Sequence, residues 1–298
     1  MVVVDRAPDL AAPRLSRSQG EKQFDYIIVG GGSAGCVLAS RLTEDPDTAV
    51  LLIEAGPHGD ARDIRDPSRN NRLLRSSRDW RFEAEPAPGL NRRRLAWPRG
   101  RTLGGSDALG PGFYTPPAPA AIDAWRVPGW SAAELGPFFH VPAKLELAPE
   151  DPMTRVFLGA AFQFGLEHNS GLAARPGGAG LYARAMHGGT RQTPFHTYLA
   201  GAAHRPNLTI KTGLLAQRII FAGRRAIGVE CCIGRTNVAF AARQEVLVCA
   251  GAARSPQLLM LSGVGPAQRL RGCAVDVVAD VPGTGDGLVD PLTISVAF

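Results

Sequence analysis

Three glycines and one acid carry the strongest chemical signal in the sequence. Gly30, Gly32 and Gly35 stand in the spacing G-x-G-x-x-G, and Glu54 follows 24 positions after Gly30. Glycines so spaced suit a pyrophosphate. Gly30 permits a tight strand-to-helix turn, Gly32 lets the main chain come near the phosphates, and Gly35 lets a helix pack close on the strands. A helix starting there offers unpaired N–H groups and the positive end of its dipole to the phosphates. Glu54 is placed to accept hydrogen bonds from a ribose, and its charge disfavours a 2′-phosphate, which sets NADP aside. FAD and NAD both remain open from this stretch.

Glycine-rich turns are common, so the motif needs a frame of elements to position it. Asp25–Val29 is a short apolar, β-rich run, expected as the first strand of a buried parallel sheet. Cys36–Leu42 carries a helical apolar pattern, and Ala49–Ile53 reads as a second buried strand ending at Glu54. Strand, turn, helix, strand and terminal acid thus occur in the order that a dinucleotide unit requires.

The 298 residues are 45% apolar, enough for a large core and two domains. No apolar run reaches the length needed to span a bilayer. Residues 1–22 lack a basic start followed by a long apolar core, and read as a disordered tail or a misplaced translation start rather than a secretory leader. Five cysteines (Cys36, Cys231, Cys232, Cys249 and Cys273) show no metal-ligand spacing. They read as buried thiols of a reducing, cytoplasmic compartment, with Cys231 and Cys232 on opposite faces of a strand. The net charge of +6 is carried mostly by arginine, much of it between Arg62 and Arg101, including Arg92-Arg93-Arg94. Few aromatics accompany these arginines and no nucleic-acid module is recognisable. The segment reads as a solvated, loop-rich insertion, with no nucleic-acid partner.

Further along, Asp79–Phe82 alternates, and Gly100–Ser106 is a second glycine-rich loop. Pro116, Pro117 and Pro119 argue against helix or central strand there. Ser131 and Glu134 form a capping box at a helix start. Thr154–Gly165 predicts a helix with Phe157, Ala160, Ala161 and Phe164 on one face. Thr193–His204 reads as a helix and Asn207–Thr212 as a strand, while Gly223-Arg224-Arg225 separates the two arms of a hairpin, Ala216–Phe221 and Ala226–Ile233. Val246–Cys249 is expected beside the two N-terminal strands in one parallel sheet, because all three are short Val, Ile and Leu runs. Ser255-Pro256 then predicts a helix start, with the proline in the first turn, running to Gly263.

These later pieces decide between the cofactors. Gly251-Ala-Ala-Arg-Ser-Pro-Gln-Leu-Leu-Met-Leu-Ser-Gly-Val-Gly265 resembles the second signature of the GMC (glucose–methanol–choline) flavin oxidoreductases at every fixed position. The Gly100–Tyr114 loop resembles their first signature, and Gly189–Leu199, Asn207–Glu230 and Val281–Asp290 resemble family segments in the same order. The resemblance covers most of Phe24–Phe298. It implies an α/β (α+β overall) architecture: a Rossmann-like FAD-binding domain of glutathione-reductase type (23–56, 97–115, 205–290), interleaved with a partial antiparallel-sheet substrate domain (125–204, 291–298). Gly30, Gly32, Ser33, Ala34 and Gly35 would cradle the pyrophosphate, Glu54 would bind the adenosine ribose, and Ala216 would touch the adenine end through its backbone. Arg101, Gly104, Gly105 and Ser106 would run along the flavin and pyrophosphate, where backbone amides stabilise negative charge on a reduced flavin. Ala55, Ala250 and Gly251 complete the implied set. The implied reaction takes a small-molecule alcohol and passes a hydride from its CH–OH carbon to flavin N5.

The sequence departs from the family pattern in three places. In the first-signature loop Gly110 replaces an asparagine and Pro111 a glycine, while Asp107 brings a carboxylate of the wrong sign toward a flavin that becomes anionic on reduction. The family's N-L-x-D-H is here Gly287-Leu288-Val289-Asp290-Pro291, and the glycine loop offers no histidine for a covalent flavin link, which implies non-covalent FAD. The C-terminal segment in which family members carry their catalytic histidine is not matched. His58, His140, His168, His187, His196 and His204 fall at none of its positions, so no catalytic residue is assigned. A non-catalytic FAD-binding module or truncated remnant is the alternative from another class, and a plain NAD-dependent dehydrogenase is weaker because the second signature belongs to flavin enzymes.

Overall fold

The computed structural model describes residues 23–86, 89, 91–139, 144–147, 150–169 and 177–290. The tail at 1–22, His140 and the segment 291–298 lie outside the described residues. Six strands, β1 (Phe24–Val29), β2 (Val50–Glu54), β3 (Leu208–Thr212), β4 (Leu215–Ala222), β5 (Arg225–Ile233) and β6 (Thr236–Val248), form one sheet in the order β3-β2-β1-β6-β5-β4. β1 and β2 are almost wholly buried, as runs of Val, Ile and Leu must be when both sheet faces are covered. They pair in parallel, Ile27 beside Leu51 and Val29 beside Ile53. β3 pairs in parallel with β2, and the last residues of β6 pair in parallel with β1, Val246 beside Ile27 and Val248 beside Val29. The expected companion strand is therefore in place. The first half of β6 runs antiparallel to β5, and β5 to β4, around the Gly223-Arg224 turn.

The alternation of β1 and β2 feeds two apolar clusters. Ile28, Val50 and Leu52 meet Cys36 and Ala39 of helix α1 (Ser33–Leu42) together with Phe195 and Leu199. Ile27, Val29, Leu51 and Ile53 meet Ile219, Val229 and Cys231 of the hairpin and Leu258 of helix α2 (Gly251–Leu261). The antiparallel end of the sheet thus curls over that second face. Burying each such Ile, Leu or Val contributes about 1.5–3 kcal/mol, so this sandwich fixes where the ends of β1, β2 and β6 emerge. Asp25, at the foot of β1, accepts the Ala49 N–H at 2.8 Å and is gripped by Arg243 at 3.0 and 2.9 Å. That amide first, and the arginine second, hold its carboxyl below the usual range.

A second, antiparallel sheet lies between β2 and β3 in sequence. Ala183–His187 is its centre, pairing with Thr190–Arg191, Phe113–Tyr114 and Leu145–Leu147. The capping box is present as read: the Ser131 hydroxyl accepts the Glu134 N–H at 3.2 Å and the Glu134 carboxylate accepts the Ser131 N–H at 3.0 Å.

Several expectations are corrected. Pro119 starts the helix Pro119–Asp123 rather than excluding one, because a proline at the first helical position gives up an N–H that has no partner anyway. α2 begins at Gly251, not Ser255, so Pro256 sits inside it, leaving the exposed Ala252 carbonyl to solvent. The 193–204 segment is helical, but opens as a π-helical turn over Phe195–Leu199 before the α turn Ala200–Ala202. The helix Pro152–Gln163 buries Leu158 and Ala161, whereas Phe157 and Phe164 are exposed, so its inner face is rotated from the one the periodicity suggests. Cys36 and Cys231 are buried, with burial pushing both thiols up to about 12, but Cys273 is exposed. The aromatic-poor reading of the basic segment also fails in space: Arg99 lies over Trp97 and Arg101 over Trp80. Among the described residues no helix is long and apolar enough to cross a membrane.

Candidate functional site

The C-terminal ends of β1, β2 and β6 open into a pocket of about 440 Å³, bordered by Val29, Ile53 and Val248. The chain leaves β1 toward β2 on one side and reaches β6 on the other, so this is the crevice at a topological switch point where α/β sheets take ligands. Val246–Cys249 is only half-buried, since Val248 and Cys249 face this opening.

The glycine turn is dictated by close backbone contacts. Gly30 has φ +105°, and a Cβ there would stand 2.4 Å from the Cys249 carbonyl oxygen. Gly35 lies beneath the pocket rather than in its wall: its Cβ would come within 1.9 Å of the Gly30 carbonyl oxygen, so glycine alone lets α1 start this close to β1. The second loop closes from the other side. Gly104 (φ +93°) donates its N–H to the Gly31 carbonyl at 2.8 Å, and a Cβ on Gly105 (φ +60°) would stand 2.7 Å from the Gly32 Cα. Two glycine loops therefore meet backbone to backbone, leaving a cradle that side chains would fill.

Glu54 is buried at the end of β2. One carboxylate oxygen accepts the Gly31 N–H at 2.8 Å and the other the Gly56 N–H at 2.7 Å, which ties the glycine turn to the second strand. Burial raises its pKa, and the Gly56 and Gly31 amides oppose that shift without cancelling it. Asp107 accepts the Ser33 hydroxyl at 2.7 Å, so its carboxylate stands at the N-terminus of α1, where no side chain caps the helix.

Of the residues singled out from sequence, Gly30, Gly32, Ser33, Ala34, Glu54, Ala55, Gly105, Ser106, Ala216, Ala250 and Gly251 line the pocket. Gly35, Gly104 and Arg101 do not: the two glycines support the walls from behind, and the Arg101 guanidinium lies 5.3 Å from the Trp80 ring centre. Sequence reasoning assigned no site role to Trp80, Gly100, Leu214, Leu215, Arg254, Ser255 and Leu258, which also line it. Only the tertiary fold joins these positions, although Arg254 lies inside the quoted Gly251–Gly265 run and Trp80 inside the alternating patch. No described histidine lines the pocket. His196 instead contacts the Thr193 hydroxyl at 2.9 Å, and burial holds its pKa below the usual value.

A sheet whose parallel strands open at a switch point onto two apposed glycine loops defines an α/β protein with its crevice where such sheets take ligands, and comparison with known proteins narrows that class. The chain belongs to the GMC oxidoreductase family, whose model matches residues 24–292. It is 38% identical over 306 residues to an oxygen-dependent choline dehydrogenase of Pseudomonas aeruginosa, covering 93% of this chain and 54% of that protein. An uncharacterized GMC-type oxidoreductase of Mycobacterium tuberculosis is 36% identical over 303 residues, with 93% and 57% covered. Among solved structures, pyridoxine 4-oxidase from Mesorbium loti superposes with a TM-score of 0.83 at 33% identity, over 87% of this chain and 56% of that one. An FAD-dependent oxidoreductase from Chaetomium thermophilum gives 0.82 at 28% identity, over 88% and 51%. The chain spans about half the length of the curated relatives it matches.

Proposed function

We propose that this chain is the FAD-binding portion of an oxidoreductase acting on CH–OH groups of a small-molecule alcohol, with FAD held non-covalently. The observation that carries the reading is the pocket itself: apposed glycine loops, the N-terminus of α1 and an acid at the end of β2, together at a switch point. Its volume of about 440 Å³ lies within the range of cofactor sites. Gly30, Gly32, Ser33 and Ala34 would take the pyrophosphate, Glu54 and Ala55 the adenosine ribose, and Ala216, Ala250 and Gly251 the adenine side. Gly105 and Ser106 would present backbone amides toward the flavin, while Gly35, Gly104 and Arg101 hold those segments in place. When bound, FAD supplies the hydride-accepting chemistry. The antiparallel sheet around Ala183–His187 would belong to the substrate domain.

A second reading, an FAD-binding module without catalysis of its own, is favoured by one observation. The titratable side chains in the lining are Glu54, Cys249 and Arg254, and none is a histidine base. Removing an alcohol proton as the C–H bond breaks needs a positioned base, which contributes typically about 10²–10⁴-fold. Titration with FAD, followed by dye reduction with choline or simple alcohols, separates the readings. Binding without turnover is the expected result for this chain alone. Turnover abolished by removing FAD would overturn the second reading, and absence of binding would overturn both.

Asp107→Asn is expected to tighten FAD binding about fivefold. The carboxylate occupies the positive end of α1, where a charge is worth about 0.3–1 kcal/mol, and the same charge repels incoming phosphates. Because Asp107 is exposed, the gain should shrink as salt is raised. Equal affinities for the two proteins at low ionic strength would contradict this.

A further inference from the structure

The FAD reading leaves one feature of the pocket unused. Arg254, on the first turns of α2, stacks over Trp80 with its guanidinium carbon 4.4 Å from the ring centre, and both side chains line the pocket. Arg101 lies near the same ring at 5.3 Å. Arg254 donates to the neutral Gln257 side chain at 2.8 Å, and among the described residues no carboxylate pairs with it. A half-buried cation with only a neutral partner and an aromatic ring is poorly explained by stability alone. Burial, and then the charge of Arg101, push its pKa down, the direction expected when two cations crowd one site.

The order of groups in a dinucleotide says which part of a ligand lies here. The pyrophosphate belongs at the glycine turn and the ribose at the acid closing the second strand, so the adenosine base must lie past Glu54, away from α1. Leu214 donates its N–H to the Glu54 carbonyl at 3.0 Å and packs in one apolar cluster with Ala216 and Leu258, and Leu215, Trp80 and Arg254 line the same pocket. Leu258 is four residues after Arg254 on α2, so both project from one helix face. The result is a slot with an aliphatic wall and a planar, weakly hydrated guanidinium already oriented by an indole. A guanidinium stacks well on a flat π-face and a lysine ammonium does not.

Resting on the dinucleotide reading above, we propose that Arg254, held on Trp80, is the platform for the adenine base and gives the site its preference for a purine. Stacking grows with ring area, so the larger bicyclic base gains more than a pyrimidine.

The test is equilibrium titration of the purified chain with FAD, ADP and UDP, for wild type, Arg254→Ala, Arg254→Lys and Trp80→Leu, with thermal melts to verify folding. Wild type is expected to bind ADP roughly tenfold more tightly than UDP. Arg254→Ala should weaken FAD and ADP by roughly tenfold and bring the ADP-to-UDP ratio near one. Arg254→Lys should fail to restore it, and Trp80→Leu should reproduce part of the loss by freeing the guanidinium. An ADP-to-UDP ratio unchanged in Arg254→Ala, or fully restored by lysine, would overturn the platform while leaving FAD binding intact. A wild type that binds none of the three overturns the dinucleotide reading and this proposal with it.

Discussion

Gly35→Ala is expected to lose at least about 4 kcal/mol of stability and all nucleotide binding, although helix propensity alone predicts the opposite. Replacing glycine by alanine inside a helix ordinarily gains about 0.8–1 kcal/mol. Here the new methyl would sit 1.9 Å from the Gly30 carbonyl oxygen and 3.3 Å from the Ile28 side chain. Gly30 has nowhere to retreat, because it is itself packed on the Cys249 carbonyl at φ +105°. α1 must then move off the sheet, taking Cys36 and Ala39 out of the cluster around Ile28 and Leu52. Losses of this size belong to core disruption rather than to surface change. Gly159→Ala is the control: it lies in the helix Pro152–Gln163 with nothing within 4 Å of its added methyl, and should be neutral or slightly stabilising. Thermal melts of the two variants showing equal shifts would sink the steric argument.

Glu54→Ala is expected to cost about 3 kcal/mol of stability and roughly 50-fold in FAD affinity. The first figure follows from leaving the Gly31 and Gly56 N–H groups without the acceptor each now has, at about 1–3 kcal/mol per buried group. The second follows from removing charged hydrogen bonds to a ribose, at about 1.5–3 kcal/mol each. The pH dependence has a definite sign. The folded pKa is raised above 4.5, so Glu54 favours the folded state most fully below the unfolded value, and that contribution is lost as pH rises through the interval up to the folded pKa. Glu54→Gln cannot ionise and should flatten the wild-type fall in stability over that interval. Denaturant unfolding between pH 4 and 8 that left the two curves parallel would contradict this assignment of the shift.

The β1–α1–β2 unit was legible because every signal in it is local: apolar runs, glycine spacing and a terminal acid all lie within one short stretch. The parallel docking of Val246–Cys249 was also readable from its unbroken apolar run, but not its half-burial, because the pocket that Val248 and Cys249 face is built by other segments. Less was visible where structure depends on partners. Pro256 marks a helix start by its own chemistry, yet α2 begins at Gly251, because one carbonyl without a partner is tolerable at the exposed Ala252. The helix Pro152–Gln163 offers apolar residues around much of its circumference, and only packing selects Leu158 and Ala161 as its buried side. The pairing of Trp80 with Arg254 has no trace in spacing, because the two belong to different elements joined by the fold.

The most direct test of the account is equilibrium titration of the purified chain with FAD at low ionic strength, followed by quenching of flavin fluorescence and by the shift of the thermal melt. Saturable one-to-one binding is expected, with the melting temperature rising as FAD is added because ligand binds the folded state alone. Glu54→Ala should bind far more weakly, and acid precipitation should release the flavin intact into the supernatant. A folded wild-type chain that neither quenches nor is stabilised at FAD concentrations up to the millimolar range would contradict the assignment of the pocket.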